Sequence, residues 1–195
     1  FTTAFIKDDA LIGRSRSIAC TKFLKDHIAD YMIFVDTDIQ FTPPELERIY
    51  LSMLSGHEVI GGSYSVGSGS YIAVVAMDQK MLIDGGIHAV KYVSTGFMGI
   101  SRKALLKIRD ECPFKWFDWD KGQLIEQIGL PLLHDSCYSE DWPFFESGAY
   151  CQEKIYISED WDFCNKVRRS GMSVYLHTGV MVYHIKEHTI IAEDV

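Results

Sequence analysis

Three triplets of the form Asp-x-Asp occur in this chain: Asp36/Asp38, Asp118/Asp120 and Asp160/Asp162. Two carboxylates one residue apart on irregular backbone suit a hard divalent cation. Mg²⁺ and Mn²⁺ prefer oxygen ligands and keep positions for water and for the oxygens of a diphosphate. Such a triplet also arises by chance, so its placement decides. Tyr31-Met-Ile-Phe-Val35 is a run of β-formers ending at Asp36. It predicts a strand buried on both faces that carries Asp36 and Asp38 to its carboxyl end, where open α/β sheets bind ligands. The alternative for either carboxylate is a turn or a helix cap. The other two triplets lack that placement.

A second acidic group opens Ser158-Glu159-Asp160-Trp161-Asp162-Phe163-Cys164. Carboxylates in a first helical turn are common because they complement the helix dipole, which is a sufficient account of Glu159 and Asp162. A first-turn carboxylate facing a cleft can also accept a proton from a hydroxyl, and Asp160 is the candidate base. His184 ends Met181-Val-Tyr-His184. A strand-end histidine is most often a satisfied polar residue, but a neutral imidazole also completes a Mn²⁺ shell. Trp142, beside Glu140, Asp141 and Phe144, suits a carbohydrate surface because sugar rings lay their apolar faces on aromatic rings; a hydrophobic cluster beneath a long loop is the alternative.

These residues need elements to hold them. Phe1 to Ile6 reads as a strand, and Ile12 to Ile28 has apolar residues at helical spacing. Thr42-Pro-Pro-Glu45 is a capping-box start for a helix to about Ser55, after which His57 to Gly62 returns as a strand. Ser63 to Ser70 is a Gly/Ser-rich loop, Tyr71 to Met77 and Met81 to Ile83 are antiparallel strands, and Tyr92 to Ile100 is a strand broken by Gly96. Ser101 caps a helix to about Asp110, and Glu111 to Glu153 is a long aromatic surface segment. Ser158 caps a last helix to Arg169, and Val174 to Leu176 and Val180 to Tyr183 are two final strands. Parallel α/β therefore gives way to a mixed sheet.

Composition narrows the function. A chain of 195 residues, 47% apolar, can bury one continuous core. A formal charge of −8 argues against a nucleic-acid surface. The five scattered cysteines form no zinc-type pair and read as free thiols in a reducing compartment. No run of about 18 apolar residues offers a membrane span, so the expectation is a soluble, cytoplasmic protein, with any anchor or further domain outside this chain.

Five segments in order, Leu11-Ile-Gly-Arg14-Ser-Arg16-Ser17, Phe34-Val-Asp36-Thr-Asp38, Ser94-Thr-Gly96-Phe97-Met-Gly99, Ser158-Glu-Asp160-Trp-Asp162-Phe and Val182-Tyr-His184, together resemble the GT-A glycosyltransferases, especially their family 2-like branch. The resemblance implies a Rossmann-like mixed β-sheet flanked by helices, with residues 1–195 as a single domain. Residues 1–100 would bind the nucleotide-sugar, and residues 101–195 the acceptor and the catalytic groups.

By the same resemblance Asp38 is a direct ligand of Mn²⁺ or Mg²⁺, Asp36 a ligand or ribose contact, and His184 the late metal-binding histidine. Gly96 and Phe97 border the donor sugar. Arg14 and Arg16 fall where the family often has an Arg-Asn pair beneath the nucleotide; a solvated helix face is their alternative, and Ser17 stands where Asn is usual. Glu159 and Asp160 match the catalytic acidic pair, whose second member is the base in inverting members; Trp142 is the acceptor candidate on its aromatic setting alone. The chain opens at what would be the family's second strand, so the base-binding unit is expected upstream of this numbering or in a differently built pocket.

The implied partners are a UDP-, GDP- or dTDP-sugar and a carbohydrate or glycoprotein acceptor. The rivals are a nucleotidyltransferase or sugar-phosphate pyrophosphorylase, for which a Gly-rich, Lys-bearing phosphate loop is lacking, and a non-catalytic carbohydrate-binding module.

Overall fold

The computed structural model describes residues 2–6, 11–26, 28–64, 75–76, 84–111, 142–150 and 155–185. Their elements run α1 (Ile12–Asp26), β1 (Tyr31–Val35), β2 (Ile39–Gln40), α2 (Pro43–Leu54), β3 (Val59–Tyr64), β4 (Val75–Ala76), β5 (Ile87–Tyr92), β6 (Phe97–Ser101), α3 (Arg102–Glu111), β7 (Gly148–Tyr150), β8 (Ile155–Ile157), α4 (Glu159–Arg169) and β9 (Val174–His184). This is an α/β protein with a mixed sheet in the order β1-β6-β3-β9-β5-β4, flanked by helices, with β2 added against β9. Two compact units interleave along the chain. One comprises residues 1–32 and 100–173, the other residues 33–99 and 174–195.

The first unit is built on three helices. Ala104, Leu105 and Ile108 of α3, Phe163, Cys164 and Val167 of α4, and Cys20 and Leu24 of α1 are buried at helical spacing. Each large apolar side chain so buried contributes about 1.5–3 kcal/mol. Arg102 closes the C-terminal end of α1, where carbonyls lack helical donors. Its guanidinium donates to the carbonyls of Phe23 (2.7 Å), Leu24 (3.0 Å) and Ala29 (2.8 Å) and lies over the Phe23 ring. The Ser101 hydroxyl caps α3 by accepting from the Ala104 N–H. Cys20 and Cys164 are buried and belong to no disulfide, and burial raises the Cys20 thiol pKa well above its ordinary value.

In the second unit, α2 begins with the expected capping box, Thr42 and Glu45 binding each other reciprocally. Strand β9 is the axis of the sheet. It pairs parallel with β3, antiparallel with β5 and, at its far end, antiparallel with β2. Between Gly62 and Ser63 the β3 partners jump from His177 to Met181, a bulge in β9. Gly62 permits it, since a Cβ there would stand 2.8 Å from Val180 Cγ1 and 3.0 Å from the Phe97 ring.

Several expectations change. Residues 2–6 are exposed and form no strand. β1 ends the strand order and is half-buried to exposed, so its uniform apolar run is not that of a strand covered on both faces. The two strands expected at Val174 to Leu176 and Val180 to Tyr183 are one, because bulging lets β9 continue past Thr178 and Gly179. The break at Gly96 separates two strands, β5 and β6. Of the expected strand from Tyr71 to Met77, Val75–Ala76 pairs antiparallel with β5. The rest of it, Ser65 to Ser70, Met81 to Ile83, the Asp118/Asp120 triplet and most of the aromatic segment lie outside the described residues.

Candidate metal and donor site

Strand β1 ends at Val35, and the next residues turn tightly. The Asp36 carbonyl accepts from the Ile39 N–H at 3.0 Å, while the Asp36 N–H donates to the Gly96 carbonyl at 3.0 Å. Ile39 and Gln40 then pair with His184 and Tyr183, and the Ile185 N–H donates to the Asp38 carbonyl at 2.7 Å. This short ladder brings Asp38 Oδ2 within 3.0 Å of His184 Nε2. Nothing in sequence marks β2 as a strand, because two residues have no period.

Two cis ligands of an octahedral Mg²⁺-type ion, each about 2.1 Å from it, stand about 3.0 Å apart, so the pair has the spacing of neighbouring ligands. It is equally the spacing of a hydrogen bond, the form the pair takes without an ion. Asp38 and His184 remain 48% and 29% exposed, which leaves room for further ligands. Among the described residues no three His, Cys, Asp or Glu side chains converge on one point, so Asp36 does not join the pair in a preformed cluster. Such sites ordinarily use one or two carboxylates plus substrate phosphates and water, and Asp38 supplies one carboxylate with the His184 imidazole beside it. His184 Nδ1 is buried and finds no hydrogen-bond partner among the described residues.

Tyr64, which sequence reasoning missed, backs the imidazole. It ends β3, its ring lies against His184 with centroids 6.4 Å apart and planes at 22°, and its hydroxyl donates to Ser94 Oγ. Its position just after Gly61-Gly62, at the end of β3, was the available signal. Gly96 makes room for it. A Cβ at Gly96 would lie 2.6 Å from Tyr64 Oη. We therefore expect Gly96→Ala to cost about 1–3 kcal/mol in chemical denaturation, the usual price of overpacking, and to cost less in a Tyr64→Phe background. Equal costs in both backgrounds would show that Tyr64 is not what Gly96 accommodates. Phe97 itself is fully buried, with its ring 5.3 Å from that of Phe41.

The remaining sequence-selected residues belong to the first unit. Arg16 is almost fully buried and its NH1 meets Glu159 Oε1 at 2.7 Å. Its guanidinium is thus engaged by a carboxylate of α4. Arg14 is half-buried on the same helix. The Ser17 hydroxyl, at the position where the resemblance expects Asn, accepts from the Phe145 N–H at 3.0 Å and is fully buried. Ser158 does not cap the helix backbone. Its hydroxyl donates to Asp160 Oδ1, which also accepts from the Trp161 N–H at 2.8 Å. Trp142 is held through its N–H to Thr21 Oγ1 at 3.0 Å, with the Arg109 guanidinium 5.6 Å from its ring centroid.

A buried ionic group fastens the Trp142–Glu146 segment to α4. Lys166 Nζ lies 2.7 Å from Asp162 Oδ2, 2.6 Å from Glu146 Oε2 and 2.6 Å from the Pro143 carbonyl. Burial acts to lower the Lys166 pKa, but Asp162 and then Glu146 outweigh it and the pKa is raised. The ammonium therefore stays charged at neutral pH, and its stabilising contribution is lost only as pH rises through that raised value. Asp162 is thus engaged in holding this segment to α4.

No protein-family model and no curated protein matches the chain. Among solved structures it is similar to A197 from STIV, with a TM-score of 0.57 and 17% identity over 93% of this chain and 71% of that one. The likeness is one of fold. It agrees with a Rossmann-like α/β architecture carrying a mixed sheet. Among the described residues no helix is long and apolar enough to cross a membrane.

Proposed function

We propose that this chain is a metal-dependent glycosyltransferase of the GT-A type, moving a sugar from a nucleotide-sugar donor to a hydroxyl of a glycan or glycoprotein. The observation that carries this reading is the pairing of Asp38 with His184 at ligand spacing beside the end of β1. Asp38 and His184 hold Mn²⁺ or Mg²⁺ together with the donor diphosphate. A divalent ion in that position supplies positive charge against the leaving nucleoside diphosphate. Asp36 contacts the ribose or the ion, and the backbone at Gly96 borders the donor sugar. Glu159 is neutralised by Arg16, so it positions the start of α4, and Asp160 is the carboxylate assigned the acceptor's proton.

Thermal denaturation with Mn²⁺ and a panel of UDP-, GDP- and dTDP-sugars, followed by assay of donor hydrolysis, tests this. A ligand at 100 times its Kd stabilises by about 2.7 kcal/mol. Stabilisation by one nucleotide-sugar only when Mn²⁺ is present supports the transferase. Stabilisation by free oligosaccharide alone identifies a binding module instead. Asp160→Asn is expected to keep the metal-dependent shift and lose turnover by about 10²–10⁴-fold. Full activity in that variant removes Asp160 as the base.

A further inference from the structure

Beyond the metal pair, the second unit carries a cleft of about 340 Å³ lined by Gln40, Phe41, Thr42, Glu45 and Tyr183. Gln40 and Tyr183 are cross-strand partners in the β2–β9 ladder. Side chains alternate along a strand, so Tyr183 and Gln40 occupy the face of the ladder opposite to His184 and Ile39. The cleft is therefore a second site, separate from the Asp38–His184 pair although only one residue from it along β9.

Its chemistry selects a ligand. Tyr183 is 69% exposed and Phe41 37% exposed, so both rings offer a face at the cleft. Phe41 is nevertheless fixed, because its ring rests on buried Phe97. Around these rings stand an amide, a hydroxyl and a carboxylate. The bonds from Thr42 N and Oγ1 to Glu45 both end on Oε2, which leaves Oε1 to accept from a hydroxyl. No cation lines the cleft among the described residues, and one carboxylate does, so phosphates and carboxylates are disfavoured there. A ligand with an apolar C–H face for the rings, hydroxyls at its edge and no negative charge meets every one of these conditions. The volume lies within the roughly 300–1,000 Å³ of small-molecule sites.

We infer that this cleft binds a neutral pyranose ring, stacked on Tyr183 and Phe41 and hydrogen-bonded by Gln40, Thr42 and Glu45. Because none of these side chains is a metal ligand, binding needs neither Mn²⁺ nor nucleotide.

The test is saturation-transfer NMR on the metal-free protein with methyl α-mannoside, methyl β-glucoside and N-acetylglucosamine, alongside N-acetyl-phenylalaninamide as an aromatic, sugar-free probe. The inference expects transfer to the ring C–H protons of at least one sugar, with a Kd in the millimolar range and about tenfold weaker binding to Tyr183→Ala. The exposure of Tyr183 makes that variant safe for the fold, and Asp38→Ala should bind the sugar as the parent does. Absence of transfer to all three sugars, unchanged binding in Tyr183→Ala, or binding of the phenylalanine amide alone would overturn it. A loss of metal-dependent nucleotide binding in Asp38→Ala with sugar binding intact separates this site from the proposed transferase site.

Discussion

Replacing Asp38 by Ala is expected to abolish Mn²⁺-dependent binding of nucleotide-sugar while the protein stays folded. The two halves of that expectation rest on different atoms. The ladder that shapes the site uses the Asp38 carbonyl, which accepts from the Ile185 N–H at 2.7 Å and is unaffected by truncating the side chain. The side chain itself is 48% exposed, so its loss leaves no sizeable cavity. The carboxylate, in contrast, is one of two protein ligands proposed for the ion. Losing even a residue that merely supports a ligand costs about 10–100-fold in metal affinity, and a direct ligand should exceed that range. Calorimetric titration of Mn²⁺ with the nucleotide-sugar, beside circular dichroism of the same sample, reads both halves. Unchanged affinity in Asp38→Ala would remove the metal assignment.

The largest expected loss of stability lies at Lys166. Lys166 and Asp162 have side chains only 8% and 6% exposed, and they meet at 2.7 Å one helical turn apart. Substitution of Lys166 by Met keeps the apolar stem and removes the ammonium, which leaves the buried Asp162 carboxylate without its counter-charge, beside the 3.2 Å contact from the Glu146 N–H. Breaking a buried pair on one side costs about 3–5 kcal/mol, because the remaining charge stays desolvated. Glu146 is half exposed and contributes little to that figure. For a chain of this size the melting temperature should fall by on the order of 10 °C. Adding Asp162→Asn should recover part of the loss, since it removes the stranded charge. A cost below about 1 kcal/mol for Lys166→Met would mean that the ionic group does not hold the Trp142–Glu146 segment.

Much of the scaffold was legible because its signals are local. The capping box of α2, the Ser101 cap of α3 and the glycine after α4, Gly171 at φ 72°, are written in a few adjacent residues. That Asp38 and His184 lie near each other came from the family resemblance, which assigned both to one ion; the structure brings their side chains within 3.0 Å. What escaped were features decided by distant contacts. β2 exists only because β9 offers it a partner, and β9 is unbroken only because Gly62 tolerates the bulge opposite it. Residues 2–6 have the composition of a strand and pair with nothing described. Arg16 carries the charge of a phosphate ligand, yet folding places a carboxylate of α4 against it across 143 positions of sequence. Tyr64 drew no notice because a tyrosine at a strand end is ordinary until Gly96 is seen beneath its hydroxyl.

The strand that ends in His184 has three neighbours, but β5 pairs with it only as far as His177 and β3 only as far as Val182, so His184 itself is held by its pairing with Ile39 of β2. Asp38 hangs from a turn of three residues and a ladder of two. Regions with few backbone bonds open at far lower free energy than ladder cores. In the proposed metal site, the adjustment that admits an ion therefore comes from the two-residue β2 ladder that carries both side chains.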